Sequence, residues 1–149
     1  MMTDITLRAV EPSDFDQWLK LYHGYAEHYK VTLTDDIIET TWGWLMDASH
    51  PVHGLLAIRG GGLVGLAHIR PMPSPLRGQY VGFLDDLFVD HGQRGHGVVD
   101  VLMTGLKVMA EKQGWAVIRW ITRDNNYRAR SVYDKYATKT DWNMYEMSC

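Results

Sequence analysis

The spacing of apolar residues changes several times along the chain, and each change predicts a new element. Residues 5–10 alternate apolar and polar side chains, which predicts a strand. In residues 14–29 and again in 35–48, apolar side chains recur every three or four positions, which predicts two helices. Ser13 and Thr34 stand where they can cap these helices. The chain is therefore predicted to begin β-α-α.

The middle of the chain has a β-rich pattern. Two runs, HGLLAIR and LVGLAHIRP, are joined by glycines and predict a hairpin. After a loop with two prolines, YVGFLDDLFV predicts a fourth strand, and the chain then turns through DHGQRGHG. The helical spacing returns in Val98, Leu102, Leu106 and Met109, which share one face, and Gly114 is a candidate C-cap. This part is predicted to be β-β-β-α.

The C-terminal part predicts three more elements: WAVIRWIT as a buried strand, NNYRARSVYDKYA as a helix and WNMYEM as a last strand. The full order is β-α-α-β-β-β-α-β-α-β. A strand-helix-strand unit from FLDDLFV to WAVIRWIT is predicted to be parallel, whereas the hairpin is antiparallel. We therefore expect an α/β fold, with a mixed, mostly antiparallel sheet and helices on both faces, in a single domain over residues 1–149.

Composition and charge exclude several classes of protein. A net charge of −3 without a block of basic residues is atypical of a nucleic-acid-binding protein. The only cysteine, Cys149, excludes an internal disulfide and a cysteine-based metal site. No histidine spacing predicts a metal site. We find no signal peptide and no apolar run long enough to span a membrane, so a cytoplasmic protein without a membrane or nucleic-acid partner is expected.

The loop QRGHGVV lies between a predicted strand and a predicted helix. A helix N-terminus presents unpaired N–H groups that bind anions, and glycines let an anion approach closely. The loop lacks the Gly-Lys-Ser/Thr of a Walker A loop and the third glycine of a Rossmann loop. It therefore predicts an anion site of another kind, or a turn that only reverses the chain.

The segment VDHGQRGHGV resembles the acyl-CoA pyrophosphate loop of the GNAT superfamily of N-acetyltransferases, with the pattern Gln/Arg-x-x-Gly-x-Gly/Ala. Arg94 and Gly97 match its first two fixed positions. Val99 stands where the family has Gly or Ala, and it is expected to crowd the cofactor or shift the helix start. The resemblance implies the GNAT acyl-CoA N-acyltransferase fold, with acetyl-CoA as co-substrate and no metal. The implied loop contacts are Gln93, Arg94, Gly95, His96, Gly97, Val98 and Val99.

A second match, NNYRARSVYDKY, resembles the family's Asn-x-x-Ala-x-x-x-Tyr helix. Asn126 and Ala129 are the implied CoA contacts, and Tyr133 is the implied acid that gives a proton or a hydrogen bond to the departing thiolate. Backbone N–H groups of Leu87, Phe88 and Val89 are implied to meet the thioester carbonyl. FLDDLFV followed by RGHG looks most like the spermidine/spermine and histone/polyamine acetyltransferase branch.

The acidic pair Asp85-Asp86 supplies the candidate base. An alkylamine has a pKa near 10.4, so it must lose a proton before it attacks a thioester. On a regular strand Asp85 shares a face with Leu87 and Val89, and the resemblance places the base at Asp85. A β-bulge would exchange the two aspartates, so Asp86 remains an alternative, as does a purely structural role for the pair.

The resemblance implies an enzyme that acetylates a primary amine of a small molecule or polyamine, or of a protein lysine or N-terminus. The aromatic side chains of the first two helices are candidates for the acceptor cleft: Tyr22, Tyr25, Tyr29, Trp42 and Trp44. A homodimer is expected, because an exposed last strand can pair across a two-fold axis. Two alternatives remain open: a non-catalytic acyl-CoA-binding or regulatory module, and a phosphate-binding structural domain.

Overall fold

A single five-stranded sheet forms the centre of the computed structural model, which describes residues 4–95 and 97–149. Its strands lie side by side in chain order, and the first four are antiparallel to their neighbours, whereas the last joins the fourth in parallel. The strands are β1 (Thr6–Ala9), β2 (His53–Arg59), β3 (Gly62–Ser74), β4 (Gln79–Val89) and β5 (Ile118–Arg119). The predicted mixed, mostly antiparallel sheet is confirmed.

Helices cover both faces of this sheet, as predicted. They are α1 (Phe15–His28), α2 (Asp35–Met46), α3 (Val98–Gln113) and α4 (Tyr127–Tyr133). On one face, Trp18 and Leu21 of α1 are buried against the sheet, and α2 packs beside them. On the other face, the predicted stripe of α3 meets the sheet with Val98, Leu102 and Leu106 fully buried. Two apolar layers therefore hold the sheet between them.

Gly24 allows α1 to approach the sheet closely. A Cβ atom at this position would lie 2.9 Å from the ring of Phe88 on β4. Because glycine has no Cβ, the helix continues through Gly24 and rests directly on that ring. This close approach brings the tyrosines of α1 next to β4.

The C-terminal predictions need three corrections. The predicted strand WAVIRWIT forms only the short β5, because only Ile118 and Arg119 find partners, at Gly82 and Phe83. The predicted last strand WNMYEM is wrong: residues 137–149, all of them described, contain no strand, and their side chains are exposed. The alternating pattern is present there, but within one chain it has no neighbouring strand to pair with. The predicted helix 125–137 is also shorter and ends at Tyr133.

No helix in the described part of the chain combines the length and the apolar character needed to cross a bilayer.

Candidate active site

A cleft of about 370 Å³ lies where β4, α3 and α4 meet. Every residue predicted to bind the cofactor lines this cleft, apart from His96, which lies outside the described residues, and Tyr133 lines it as well. These residues are Leu87, Phe88, Val89, Gln93, Arg94, Gly95, Gly97, Val98, Val99, Asn126 and Ala129. The structure therefore brings together two motifs that are separated by a helix and a strand in the sequence.

The glycine loop exposes the N-terminus of α3 to the cleft. Gly95 and Gly97 adopt φ values of 81° and 84°, a left-handed conformation that side chains with a Cβ rarely adopt. No atom lies within 4 Å of the position that a Cβ would take at either glycine. The residue before α3 makes no side-chain cap, so the first N–H groups of the helix remain available to an anion.

Asn126 lies directly before α4, across the cleft from the glycine loop. Its side-chain oxygen accepts a hydrogen bond of 3.2 Å from the backbone N–H of Ala129 and so caps α4. The carboxamide nitrogen of the same side chain remains a donor group. Arg128 and Lys135 add positive charge to the lining of this side. Arg94 adds another on the loop, with its guanidinium 5.9 Å from the ring centre of Phe88.

The edge of β4 beside the cleft has little strand pairing. β5 pairs with β4 only at Gly82 and Phe83, and beyond that point no other described strand lies on that side of β4. In an antiparallel pair, backbone N–H groups point alternately toward and away from the partner strand. Between Leu87 and Val89, the N–H groups that point away from β3 are therefore directed to the cleft side and can donate to a carbonyl oxygen.

Tyr133 lies half-buried at the end of α4. Its ring meets Trp120 edge-on, with the ring centres 5.5 Å apart. Burial, and to a lesser extent the neighbouring Tyr29, raise the pKa of the Tyr133 hydroxyl above its usual value. The hydroxyl therefore keeps its proton at neutral pH and can act as a donor.

A β-bulge separates the two aspartates of β4. His68 on β3 pairs with Asp86, but the next residue, Ile69, pairs with Leu84, so Asp85 is the extra residue. The regular alternation that would place Asp85 on one face with Leu87 and Val89 is thus broken. The bulge, the alternative considered from the sequence, gives the two carboxylates different surroundings.

The Asp86 carboxylate points to the α1 side of the sheet. One of its oxygens accepts hydrogen bonds from His68 Nδ1 at 2.8 Å and from the Tyr22 hydroxyl at 3.0 Å. Burial by itself would raise the pKa of Asp86, but the hydrogen bonds outweigh burial and hold this pKa below its usual value. Asp86 is therefore a carboxylate anion at neutral pH.

Asp85 forms an ion pair at the surface. Its carboxylate accepts a 2.9 Å hydrogen bond from Arg70 Nε, and both side chains are about one-third exposed. Neither aspartate lines the cleft itself. Tyr25 connects the cleft to them, because it lines the cleft while its hydroxyl donates to the backbone carbonyl of Asp85 at 3.4 Å and interacts with Asp86.

Of the five aromatic residues proposed for an acceptor cleft, two line the cleft described above: Tyr25 and Tyr29. Trp42 instead packs on Trp18 in the core, with ring centres 4.9 Å apart. Trp44 stacks on His50 at the surface and does not line the cleft.

His68 contacts the candidate base but was not among the site residues predicted from the sequence. It is buried in the middle of β3, and its contact with Asp86 depends on the register between two strands. The sequence gives no local signal for such a contact, because the two residues belong to no shared motif. Within the described residues, no group of three His, Cys, Asp or Glu side chains converges to hold a metal ion.

The sequence profile of the acetyltransferase (GNAT) family matches residues 15–137, and the chain belongs to this family. It is similar to the D-amino-acid N-acetyltransferase HPA3 of Saccharomyces cerevisiae, with 29% identity over 144 residues, which covers 95% of this chain and 89% of that protein. Together these matches identify the chain as an acetyltransferase enzyme.

Solved structures share the fold. The ribosomal-protein-alanine N-acetyltransferase of Brucella melitensis biovar Abortus 2308 superimposes with a TM-score of 0.81 at 22% identity, covering 99% of this chain and all (100%) of that one. AAC(6')-Iy, in complex with a bisubstrate analogue, CoA-S-monomethyl-acetylneamine, superimposes with a TM-score of 0.83 at 17% identity, with the same coverage of 99% and 100%. The predicted fold class is thereby confirmed.

Proposed function

We propose that this enzyme transfers an acetyl group from acetyl-CoA to a primary amine of a small molecule or polyamine. One observation carries the proposal: the uncapped N-terminus of α3, the open edge of β4 and the hydroxyl-bearing Tyr133 all face one cleft. The N-terminus of α3 can donate hydrogen bonds to an anion, the edge of β4 to a carbonyl oxygen, and Tyr133 to a thiolate.

The cleft suits the CoA end of the donor substrate. The open space at Gly95 and Gly97 leaves room for a pyrophosphate beside the first N–H groups of α3. Arg94, Arg128 and Lys135 would balance its negative charge. The carboxamide nitrogen of Asn126 would donate to the pantetheine portion. Val99 lines the same space and would narrow it relative to the Gly or Ala of the family.

We infer that Asp86, reached through Tyr25, accepts the proton of the attacking amine. Burial, and next the charge of Asp86, raise the pKa of Tyr25, so its hydroxyl stays protonated and can only relay a proton. Its hydroxyl would turn from the Asp85 carbonyl to the Asp86 carboxylate, and it would take the amine's proton as it passes its own to Asp86. Asp85 is the second candidate, and it would first have to leave Arg70.

The reaction then needs no further group. The neutral amine nitrogen bonds to the thioester carbonyl carbon, and the carbon–sulfur bond breaks as its electron pair leaves on sulfur. The nitrogen then loses a second proton, to the departing sulfur or to solvent, so that the products are the amide and CoA. Backbone N–H groups of β4 stabilise the charge on the carbonyl oxygen. Tyr133 donates a hydrogen bond to the departing sulfur. The pKa of the Tyr133 hydroxyl is raised, so a lasting phenolate is disfavoured. If Tyr133 gives its proton to the sulfur, it therefore takes a new proton from solvent.

The side chains at the acceptor end favour a cationic amine. Tyr25 and Tyr29 offer aromatic faces, and the Asp86 carboxylate lies behind them. Three classes of acceptor are compatible with this end. The sequence resemblance suggests polyamines, the name of the yeast relative suggests amino acids, and the name of AAC(6')-Iy, an aminoglycoside N-acetyltransferase, suggests aminoglycosides. Protein lysines and N-termini are a further variant.

A thiol-release assay tests the proposal. Acetyl-CoA is supplied with polyamines, aminoglycosides, D- and L-amino acids and lysine peptides, and CoA release is followed with a thiol reagent. We expect turnover with at least one cationic primary amine. Calorimetry with CoA gives the control: binding without turnover on any amine would indicate a non-catalytic acyl-CoA-binding module, and no binding would contradict the proposal.

We further infer that the enzyme is a homodimer in which residues 142–147 pair with a second copy. All four large apolar side chains of this segment are at least 60% exposed, and in a strand Trp142 and Met144 would share one face and Tyr145 and Met147 the other. β5, at the end of the sheet, offers an edge for such pairing.

Light scattering on Trp142→Asp tests the inference, with Leu76→Asp as the matched control, because Leu76 is also exposed but lies in the turn between β3 and β4. Only Trp142→Asp is expected to shift the mass toward the monomer. A wild-type monomer at micromolar concentration would overturn the inference.

A further inference from the structure

A buried chain of hydrogen bonds runs from α1 through β3 to β4, beneath the candidate active site. The indole nitrogen of Trp18 lies 3.0 Å from His68 Nε2, and His68 Nδ1 lies 2.8 Å from Asp86 Oδ2. Trp18 has no exposed surface, and His68 is 2% exposed. We propose that Trp18 and His68 are positioning residues that keep Asp86 an oriented, unprotonated acceptor, which rests on the role proposed above for Asp86.

The chemistry of the three groups fixes where the proton of His68 lies. An indole N–H donates hydrogen bonds and cannot accept them, so Nε2 of His68 must be the acceptor and carries no proton. The proton of the neutral ring is therefore on Nδ1, which donates to Asp86. Trp18 thus selects the His68 tautomer whose N–H faces the Asp86 carboxylate.

The surroundings of His68 leave Trp18 and Asp86 as the hydrogen-bond partners of its ring. Tyr22 on α1 meets this ring edge-on, with the ring centres 4.9 Å apart, and its hydroxyl donates to Asp86. On β2 the strand partner of His68 is Gly54, which has no side chain. Trp18 is therefore the group that decides which ring nitrogen faces Asp86.

This arrangement matters for the proton transfer. The N–H at Nδ1 of His68 fixes the position of Asp86 Oδ2, and the Tyr22 hydroxyl donates to the same oxygen. Without the N–H of Trp18 at Nε2, the proton of the ring could lie on either nitrogen, and the Nε2–H tautomer would present a lone pair to the carboxylate. Trp18 therefore keeps a donor against Asp86.

Nitrogen-15 NMR of the histidine side chains, combined with steady-state kinetics, tests the proposal. In the wild-type protein we expect His68 as the Nδ1–H tautomer. In Trp18→Phe, the Nε2–H tautomer is expected to appear, because Nε2 no longer has a donor partner. The value of kcat should then fall by at least tenfold. KM for acetyl-CoA stays unchanged.

Matched variants separate a positioning role from a structural one. Trp42→Phe changes a ring that packs on Trp18 in the same core and should leave the His68 tautomer and kcat as they are. His68→Asn keeps an N–H donor near the Nδ1 position, so Trp18→Phe combined with His68→Asn should recover most of the kcat that Trp18→Phe loses. If Trp18→Phe does not fold, His68→Asn and His68→Leu replace it, and only the leucine variant should lower kcat, by at least tenfold.

The proposal is overturned if wild-type His68 is the Nε2–H tautomer, or if Trp18→Phe changes neither the tautomer nor kcat. The tautomer is measured without turnover, so this result does not depend on the role of Asp86. An unchanged rate in Asp86→Asn together with the expected tautomer would contradict the proposed base and remove the functional role of the pair.

Discussion

Asp85 and Asp86 are neighbours on β4, yet a bulge gives their carboxylates different partners. Asp86 contacts the buried His68, whereas Asp85 pairs with Arg70 at the surface. The exposed side-chain fraction is 18% for Asp86 and 33% for Asp85. Two adjacent and chemically identical side chains can therefore be tested separately for the role of base.

Replacement of Asp86 by asparagine should remove the proton acceptor and keep the shape of the side chain. We expect kcat to fall about 10²-fold or more, which is the usual contribution of a general base. KM for acetyl-CoA should change little, because Asp86 does not line the cleft. Steady-state thiol release at saturating amine measures both constants.

Asp85→Asn is the matched control. It breaks a partly exposed ion pair, which contributes at most about 1 kcal/mol, and kcat should stay within about threefold of wild type. The reverse result, with a large loss in Asp85→Asn and none in Asp86→Asn, would transfer the role of base to Asp85.

The sequence predicted most of the elements, because they depend on local patterns, and the residues of its two motifs line one cleft. The helical stripe of α3 and the two motifs each lie within a short segment, and their residues line one cleft. The surroundings of Asp86 could not be predicted, since they depend on a bulge and on the register between β3 and β4. A shift of one residue in register changes which side chains meet.

The prediction of a last strand at residues 142–147 was wrong for a related reason. The alternation in this segment is typical of a strand, but a strand also needs a neighbour with free backbone groups. The structure gives residues 142–147 no such neighbour within the described chain. The alternation of side chains can be read from one segment, whereas strand pairing requires two.

Replacement of Tyr133 by phenylalanine should remove the donor to the departing sulfur. We expect kcat to fall about 10²-fold or more, with little change in CoA affinity, because the ring and its contact with Trp120 remain. Thiol release gives kcat, and calorimetry gives the dissociation constant for CoA.

Tyr136→Phe is the control for this variant, since Tyr136 also lines the cleft but lies beyond the end of α4. It should retain nearly full kcat. Equal activity of Tyr133→Phe and wild type would exclude Tyr133 from the mechanism.

Replacement of Val99 by alanine should enlarge the cleft at the start of α3. Val99 is partly buried and lines the cleft where the family has a small residue. We expect acetyl-CoA to bind several-fold more tightly, because the pyrophosphate can come closer to the N–H groups of α3. Calorimetry with CoA measures the change.

Val101→Ala is the comparison, because Val101 is also partly buried against the α3-side core but does not line the cleft. It should lose a similar amount of stability, about 1 kcal/mol, without a gain in affinity. Weaker binding in Val99→Ala would mean that the valine contacts the cofactor rather than crowds it.

Asp14, away from the cleft, should stabilise the start of α1. Both of its oxygens accept hydrogen bonds from Arg8, at 2.7 and 2.8 Å, and one also accepts from the N–H of Glu11 at 2.7 Å. Asp14→Asn should lower the free energy of unfolding by about 1–3 kcal/mol at pH 7. Urea unfolding measures this loss, and Asp16→Asn, an exposed position in the same helix, should change it little.

The effect of Asp14→Asn should also depend on pH, with a definite sign. The hydrogen bond from Arg8 outweighs burial and lowers the pKa of Asp14 in the folded protein below its value of about 3.9 in the unfolded chain. The unfolded state therefore binds the proton first, so the stabilisation is fully present above about pH 5 and is lost as the pH falls through the folded-state pKa. The difference in unfolding free energy between wild type and Asp14→Asn should thus shrink below about pH 4. A difference that stays constant down to pH 3 would mean that Asp14 contributes through its shape and not through its charge.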